Sequence, residues 1–228
     1  MIRLEIDDFS YNKETVLQSV ACEFSSGKTH GVVGLNGAGK TTFFRILAGF
    51  IRDKNVRVLK DGSAINKNEI GFIDTDLHIY PKLTGREFLS VFPAKLPSFN
   101  EDKIAELFRL PLGQFTEELS TGMKKKLLLL SQIKQDKNIY ILDEPFNGLD
   151  LETNKILESI IRILNERGKT VFISSHILEP LINVCDEIHY LKGKTLHKTY
   201  GREEFPLIGE ELFGTFTRQL EQELKEII

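Results

Sequence analysis

The strongest chemical signal in the sequence is a glycine-rich segment that ends in lysine and threonine. It reads Gly34-Leu35-Asn36-Gly37-Ala38-Gly39-Lys40-Thr41 and matches G-x-x-x-x-G-K-[ST] at every fixed position. An apolar run precedes it and a helical pattern follows it, which is the context that this motif requires. The glycines let backbone N–H groups converge on a polyphosphate, and the helix N-terminus adds partial positive charge.

This segment, the phosphate loop, predicts a nucleoside triphosphate site. Lys40 would reach the β- and γ-phosphates, and the Thr41 hydroxyl would ligate Mg²⁺. Thr42 would add a phosphate contact. The expected backbone contacts come from the remaining loop positions, which are Asn36, Gly37, Ala38 and Gly39.

Acidic and basic side chains follow two other apolar runs. Asp143 and Glu144 come directly after Ile139–Leu142, and His176 follows Thr170–Ser174. Carboxyl ends of parallel strands share one edge of a sheet, where ligands bind, so these side chains are expected near the phosphate loop. Asp143 would hold Mg²⁺ there. The alternatives are a solvated acidic pair and a structural histidine; His30, His78, His189 and His197 are interpreted as surface or core residues.

A third signal is the start of a helix that runs through the leucines at 127–130. Ser120 has the side chain of an N-cap, and together with the Gly122 amide it would form an anion site. A capped amphipathic helix without a ligand is the alternative. We interpret Lys124–Lys126 as a solvated first turn, with a role near phosphates or a partner as the other interpretation.

Composition narrows the function classes. The chain has 228 residues, 41% hydrophobic and 28% charged, with a net charge of −3. This balance predicts one globular domain and argues against a dedicated nucleic-acid binder. Cys22 and Cys185 form neither a CxxC pair nor a Cys/His cluster in the sequence, so a zinc site or disulfide scaffold is not expected. No run of about 18 apolar residues predicts a membrane span.

Strand-like and helical segments alternate, which predicts an α/β fold with a mostly parallel sheet covered on both faces. The expected organisation is a single domain over 1–228. Residues 1–75 and 136–205 would form a nucleotide-binding core that begins with an antiparallel β region. Residues 76–135 would be a helical subdomain inserted into it. Residues 206–228 would be a C-terminal helix that packs on its own domain or contacts another chain.

Together these motifs resemble the ATP-binding subunits of ABC transporters. The resemblance covers about Leu4 to Lys194 and keeps the family's motif order. After the phosphate loop come Leu119–Lys124, Asn138–Pro145, Asn147–Asp150 and Ser174–His176. It implies a P-loop NTPase core with ATP and Mg²⁺ as cofactors.

The resemblance also implies a role for individual residues. Glu144 would be the general base that polarises the attacking water, and His176 would contact the γ-phosphate. Tyr11 would stack on adenine, a surface tyrosine being the alternative. Ser120 and Gly122 would contact ATP held by a second chain, and Asp150 is a further candidate for nucleotide binding.

The sequence departs from the family pattern at three positions. Thr121 stands where the family has glycine, and Met123 where it has glutamine. Thr75 occupies the position of a glutamine that touches Mg²⁺ and the attacking water, and Asp74 and Asp76 flank it. Thr75 is therefore a candidate Mg²⁺ ligand, although threonine is too short to reach as far as glutamine. We therefore expect slower or partner-dependent hydrolysis, with Asp74 or Asp76 as a candidate substitute for the missing glutamine.

The resemblance implies an ATPase that energises a separate transmembrane permease subunit, typical of exporters built from separate chains. Two ATP-binding subunits, as a homodimer in the ATP state, would sandwich ATP on the inner face of the cell membrane, and no nucleic-acid partner is expected. One alternative is a soluble ABC-type ATPase in translation or DNA maintenance. The other is a nucleotide-binding regulatory module with little turnover.

Overall fold

The computed structural model describes residues 1–212 and Leu224. Strands and helices alternate along most of this length. The strands are Ile2–Tyr11 (β1), Glu14–Phe24 (β2), Thr29–Val33 (β3), Val56–Lys60 (β4), Ser63–Ala64 (β5), Ile70–Ile73 (β6), Ile139–Leu142 (β7), Thr170–Ser175 (β8), Glu187–Lys192 (β9) and Thr195–Gly201 (β10). The helices are Lys40–Leu47 (α1), Gly85–Ser90 (α2), Glu101–Leu107 (α3), Thr121–Ile133 (α4), Leu151–Glu166 (α5) and Leu178–Val184 (α6).

The amino-terminal strands form an antiparallel sheet in the order β2-β1-β4-β5. In β1 the buried side chains Ile2, Leu4 and Ile6 alternate with more exposed ones, as expected for a strand with one face on a core. This face packs on one side of α1, and Phe43 and Phe44 of that helix are fully buried between the sheets.

The second sheet has six strands in the order β10-β9-β3-β8-β7-β6. Four of its five pairings run parallel, and the fifth, the β9–β10 hairpin at one edge, is antiparallel. Every residue of β3, β7 and β8 is buried, because helices and the antiparallel sheet cover both faces.

Three helices, α2, α3 and α4, lie between β6 and β7 in the chain, and each begins at a side-chain cap. Thr84 forms a capping box with Glu87, Asn100 accepts from the Lys103 N–H, and Ser120 accepts from the Met123 N–H. Their apolar faces join the larger core, which also contains α5 and α6.

The predicted α/β class, with a mostly parallel sheet and an antiparallel amino-terminal region, is confirmed. The structure adds α2, α6 and the β9–β10 hairpin, short elements that the sequence patterns did not single out. The expected helix over 206–228 lies mostly outside the described residues. Among the described helices, none is both long enough and apolar enough to span a bilayer.

The packing of β3 on α6 predicts a glycine requirement at Gly31. A Cβ at this position would lie 2.9 Å from Cys185 Sγ and 3.2 Å from Ile188 Cγ1. Gly31→Ala is expected to lower the free energy of unfolding by about 1–3 kcal/mol through overpacking, measured by urea denaturation. Gly209→Ala is the control, because a Cβ there meets nothing within 4 Å. Equal stability of the two variants would contradict the prediction.

Candidate functional site

A cavity of about 520 Å³ opens at the carboxyl edge of the six-stranded sheet. Register explains why it forms there. Val33 at the end of β3 pairs with Ser175 of β8, and Leu142 at the end of β7 pairs with Ile173. The segments that follow these strands therefore meet. The lining residues are Val16, Asn36, Gly37, Gly39, Lys40, Thr41, Thr42, Thr75, Glu144, Asn147 and His176.

The phosphate loop leads from β3 into α1 through two glycines in the left-handed region. Gly37 has φ +79° and Gly39 has φ +102°, conformations that a side chain would strain. A Cβ on Gly39 would also lie 3.2 Å from side-chain atoms of Val16 and Leu17. Helix α1 has no side-chain cap and no acidic residue in its first turn. Its amino-terminal end is therefore suited to an anion.

Lys40 is 7% exposed and is held by the loop itself. Its Nζ donates to the carbonyl oxygens of Gly34 at 2.8 Å and Leu35 at 3.3 Å, and it lies 3.2 Å from Glu144 Oε1. A buried ammonium needs such partners, because an unpaired charge in this position would be costly.

Asp143 is almost fully buried, and its carboxylate accepts hydrogen bonds from two hydroxyl groups. Thr41 Oγ1 donates to Asp143 Oδ2 at 2.6 Å, and Ser174 Oγ donates to Asp143 Oδ1. Burial raises the pKa of Asp143, although these two hydrogen bonds oppose the shift. A carboxylate and a threonine hydroxyl side by side offer hard oxygen ligands. The residues present therefore fit Mg²⁺, whose other positions would be filled by phosphate oxygens and water.

Glu144 lies between the ammonium and the histidine. Its Oε1 faces Lys40, its Oε2 is 2.9 Å from His176 Nδ1, and its N–H donates to Ser174 Oγ at 2.8 Å. The backbone of Glu144 is in the left-handed region, at φ +48°, so the chain turns sharply where β7 ends. The result is a carboxylate fixed from two sides beside the phosphate loop.

The loop after β6 brings Thr75 to the cavity, but Asp74 and Asp76 are engaged elsewhere. Arg45 Nε donates to Asp74 Oδ2 at 2.7 Å, Arg45 Nη2 to Asp74 Oδ1 at 3.1 Å, and Nη2 also to Asp76 Oδ2 at 2.9 Å. Burial alone would raise the pKa of Asp74, but the hydrogen bonds from Arg45 and from the Asp76 N–H hold that pKa below its usual value. Both carboxylates are thus committed to the guanidinium.

Lys125 holds the segment that follows β7, a contact that the preferred interpretation of a solvated first turn did not predict. Its Nζ donates to the carbonyl oxygens of Glu144 at 3.0 Å and Asn147 at 2.6 Å, and burial lowers its pKa. Lys126 donates to the Phe108 carbonyl oxygen at 3.0 Å. The solvated interpretation is therefore wrong for these two lysines. One sequence signal could have indicated these contacts. Cations in the first turn of a helix oppose its dipole, so their presence there suggests that they bind something else.

Several predicted residues do not line this cavity. Ser120 is the N-cap of α4, as expected, and Asp150 is the N-cap of α5, accepting from the Thr153 N–H at 2.8 Å. A Cβ on Gly122 would lie 3.3 Å from the Gly148 carbonyl oxygen, so α4 approaches that backbone closely. Tyr11 is 44% exposed at the end of β1 and packs edge-on against Phe9. Ala38 lines a neighbouring cavity instead.

Most of the chain from β2 to the segment after β7 matches one known family. Residues 17–147 match the family described as ABC transporter. An uncharacterised ABC transporter ATP-binding protein of Methanocaldococcus jannaschii, MJ1023, is 33% identical over 85% of this chain and 74% of its own length. The lantibiotic transport ATP-binding protein SrtF of Streptococcus pyogenes is 31% identical over 94% of this chain and 96% of its own.

Two solved structures share the fold. One is described as the ATP-binding subunit of an ABC transporter; it has a TM-score of 0.80 at 24% identity, covering 95% of this chain and 99% of its own. The other is a dimeric post-hydrolysis state of the ATP-binding cassette MJ0796 with ADP and phosphate. Its TM-score is 0.75 at 19% identity, over 89% of this chain and 99% of its own.

The two bonds from Lys125 predict that this side chain holds the segment after β7. Lys125→Met would leave two carbonyl oxygens without their donor, at a local cost of about 1–3 kcal/mol. Amide hydrogen exchange over 144–149, followed by mass spectrometry, is expected to accelerate by about 10–100-fold. Lys124→Met is the matched control one position earlier on α4. Equal exchange in both variants would show that Lys125 does not hold this segment.

Proposed function

The chain belongs to the ABC transporter family, as an ATP-binding and ATP-hydrolysing subunit, and on this premise we propose how its own residues carry out the cycle. Two copies would close on two molecules of Mg-ATP and drive a separate membrane-spanning partner. The observation that carries the proposal is the Glu144 carboxylate, held between Lys40 and His176 beside the phosphate loop.

Nucleotide binding would replace contacts that the site now makes with itself. The phosphates of ATP would take over Lys40 from the Gly34 and Leu35 carbonyl oxygens and from Glu144. Thr41 and Asp143 would hold Mg²⁺, which when bound neutralises charge on the phosphate oxygens. Thr42 and the amides of residues 36–39 would complete the phosphate contacts, and Tyr11 would stack on the adenine.

Glu144 would then act as general base. Once Lys40 turns to the phosphates, one carboxylate oxygen is released to accept a proton from the attacking water, while His176 Nδ1 keeps the other oxygen in place. Lys125 would position this group indirectly, because it fixes the Glu144 carbonyl oxygen.

The second subunit supplies what one chain lacks. Ser120, Gly122 and Asp150 lie outside the cavity of their own chain, at the ends of α4 and α5. A head-to-tail homodimer would bring this anion-binding helix end to the ATP of the other copy. Thr121 and Met123 differ from the family pattern but leave the Ser120 cap intact.

The membrane partner would contact the chain near the loop after β6, on the inner face of the cell membrane. A cavity of about 290 Å³ lies there, lined by Phe50, Phe72, His78 and Leu128 together with the Arg45–Asp74 pair. Arg45 belongs to α1, the helix that starts at the phosphate loop. This ion pair would therefore connect nucleotide binding to the 76–135 region and to the partner.

One test of the proposed function is the substitution Glu144→Gln. Loss of the general base is expected to lower the ATPase rate by about 10²–10⁴-fold, while ATP binding persists. With Mg-ATP the variant should elute as a dimer in size-exclusion chromatography and, as tagged bait, recover one multi-span protein from detergent-solubilised native membranes. Lys40→Ala, which loses the phosphate contact, is the matched control that should do neither.

Other outcomes of that experiment count against the proposal. Recovery of ribosomes or DNA-repair proteins in place of a membrane protein would support the soluble ATPase alternative. ATP binding without turnover in the wild-type chain, with or without a membrane fraction, would support the regulatory module.

Another test concerns Thr75, whose hydroxyl lies 3.2 Å from Asp74 Oδ1. A threonine is too short to reach as far as the family's glutamine, and Asp74 and Asp76 are held by Arg45. Thr75→Gln is expected to raise the basal ATPase rate roughly tenfold, equivalent to about 1.4 kcal/mol of barrier. Thr75→Val is the control and should leave the rate unchanged. Unchanged basal and membrane-stimulated rates in Thr75→Gln would refute this account of the loop.

A further inference from the structure

Three side chains of types that can bind a metal ion meet at the end of β3 that is opposite the nucleotide cavity. His30 pairs with Glu187 across the parallel β3–β9 ladder, and His189 follows two residues later on the same face of β9. His30 is 0% exposed and His189 is 2% exposed, while the Glu187 side chain is 24% exposed. Their ligand atoms all lie within 4.8 Å of one another.

The hydrogen bonds on the outer side of the cluster orient the two imidazole rings. His30 Nε2 lies 2.9 Å from the Ser25 carbonyl oxygen, which can only accept, so Nε2 carries the proton and Nδ1 holds a lone pair. His189 Nδ1 lies 2.8 Å from Thr199 Oγ1. This is the arrangement of metal-ligating histidines, whose second nitrogen usually bonds to an oxygen outside the site.

The inner nitrogens face each other and the glutamate. His189 Nε2 lies 3.3 Å from His30 Nδ1, and Glu187 Oε2 lies 3.4 Å from the same atom. The commonest N–H···O distance is shorter, at about 2.9–3.0 Å. Two ligands at about 2.0–2.1 Å from a tetrahedral zinc ion stand about 3.3–3.4 Å apart. The two separations from His30 Nδ1 match edges of such a tetrahedron, and the third, between His189 Nε2 and Glu187 Oε2, is at most 4.8 Å.

The other contact of Glu187 agrees with this geometry. Lys28 Nζ occupies only the outer oxygen of Glu187, Oε1, at 2.7 Å and leaves Oε2 turned toward His30. Because Glu187 is partly exposed, it also opens a route for the ion and for a water as fourth ligand.

We propose that His30, Glu187 and His189 form a binding site for Zn²⁺ or a similar transition-metal ion. The alternative arrangement is a neutral hydrogen-bonded chain in which the Thr199 hydroxyl donates to His189 and His189 donates to His30. Cysteine spacing in the sequence did not indicate a zinc site. His30 lies 157 positions before Glu187, so only the pairing of β3 with β9 brings it next to Glu187 and His189.

The test uses the full chain, treated with chelator and free of nucleotide, so that Asp143 and Thr41 contribute no phosphate-supported site. Co²⁺ is the spectroscopic probe. One equivalent is expected to give the intense visible absorption of a four-coordinate ion, and Zn²⁺ should bleach it by displacement. Zn²⁺ at 100 times its Kd should also raise Tm by about 5–10 °C.

Three variants separate a metal site from a structural cluster. Glu187→Gln removes a partly exposed ligand without disturbing the core and should weaken Co²⁺ binding at least about 100-fold. Thr199→Val removes the outer bond to His189 and should weaken it by about 10–100-fold. His197→Gln, which alters a half-exposed histidine on β10 outside the cluster, is the control and should bind as wild type does.

Two results would overturn the proposal. The first is the absence of both the cobalt band and the zinc-dependent Tm shift in the wild-type chain. The second is Co²⁺ binding that is equal in wild type and Glu187→Gln, which would place the ion elsewhere. Circular dichroism of each variant shows that it is folded, so that loss of binding is not loss of structure.

Discussion

The parallel hydrogen-bond ladder of β3, β7 and β8 is the constraint on which the site depends. It fixes where three separate segments of the chain come out of the sheet, and all three come out at the same edge. The site residues therefore reach the cavity directly from the ends of their strands. Gly34 and Lys40 follow β3, Asp143 and Glu144 follow β7, and His176 follows β8. The chemistry is thus a consequence of register.

A second constraint is that Lys40, Asp143 and Glu144 are largely buried, so their charges need partners before any nucleotide arrives. Lys40 and Glu144 form an ion pair, and Asp143 accepts hydrogen bonds from two hydroxyl groups. These contacts lower the cost of burying charge. Arg45 forms ion pairs with the two acidic residues of the loop after β6. A ligand that brings phosphates and a cation would exchange one set of satisfied contacts for another.

Sequence reasoning found those parts of the molecule whose physics is local. The phosphate loop is encoded by glycines at positions with positive φ, and Ser120 acts as the cap that its position indicates. The alternation of strands and helices was sufficient for the fold class. Short elements such as α2, with six residues, carry too few residues to show a period.

Contacts between segments that are distant in sequence could not be predicted from local sequence patterns. The bonds from Lys125 to the backbone after β7 depend on how α4 packs, and the engagement of Asp74 and Asp76 depends on Arg45 from another element. The meeting of His30 with His189 depends on the order of strands in the sheet. In each case the residue type was visible and its partner was not.

The short strand β3 has a mechanical consequence. Its five residues are all buried, and it is hydrogen-bonded on both sides, to β8 and to β9. A strand held in this way is a stiff element about 16 Å long, and it resists displacement relative to either neighbour. A displacement that starts at the phosphates would therefore be carried by α1, through Arg45, to the exposed loop after β6. The sheet would be the frame against which these two elements move.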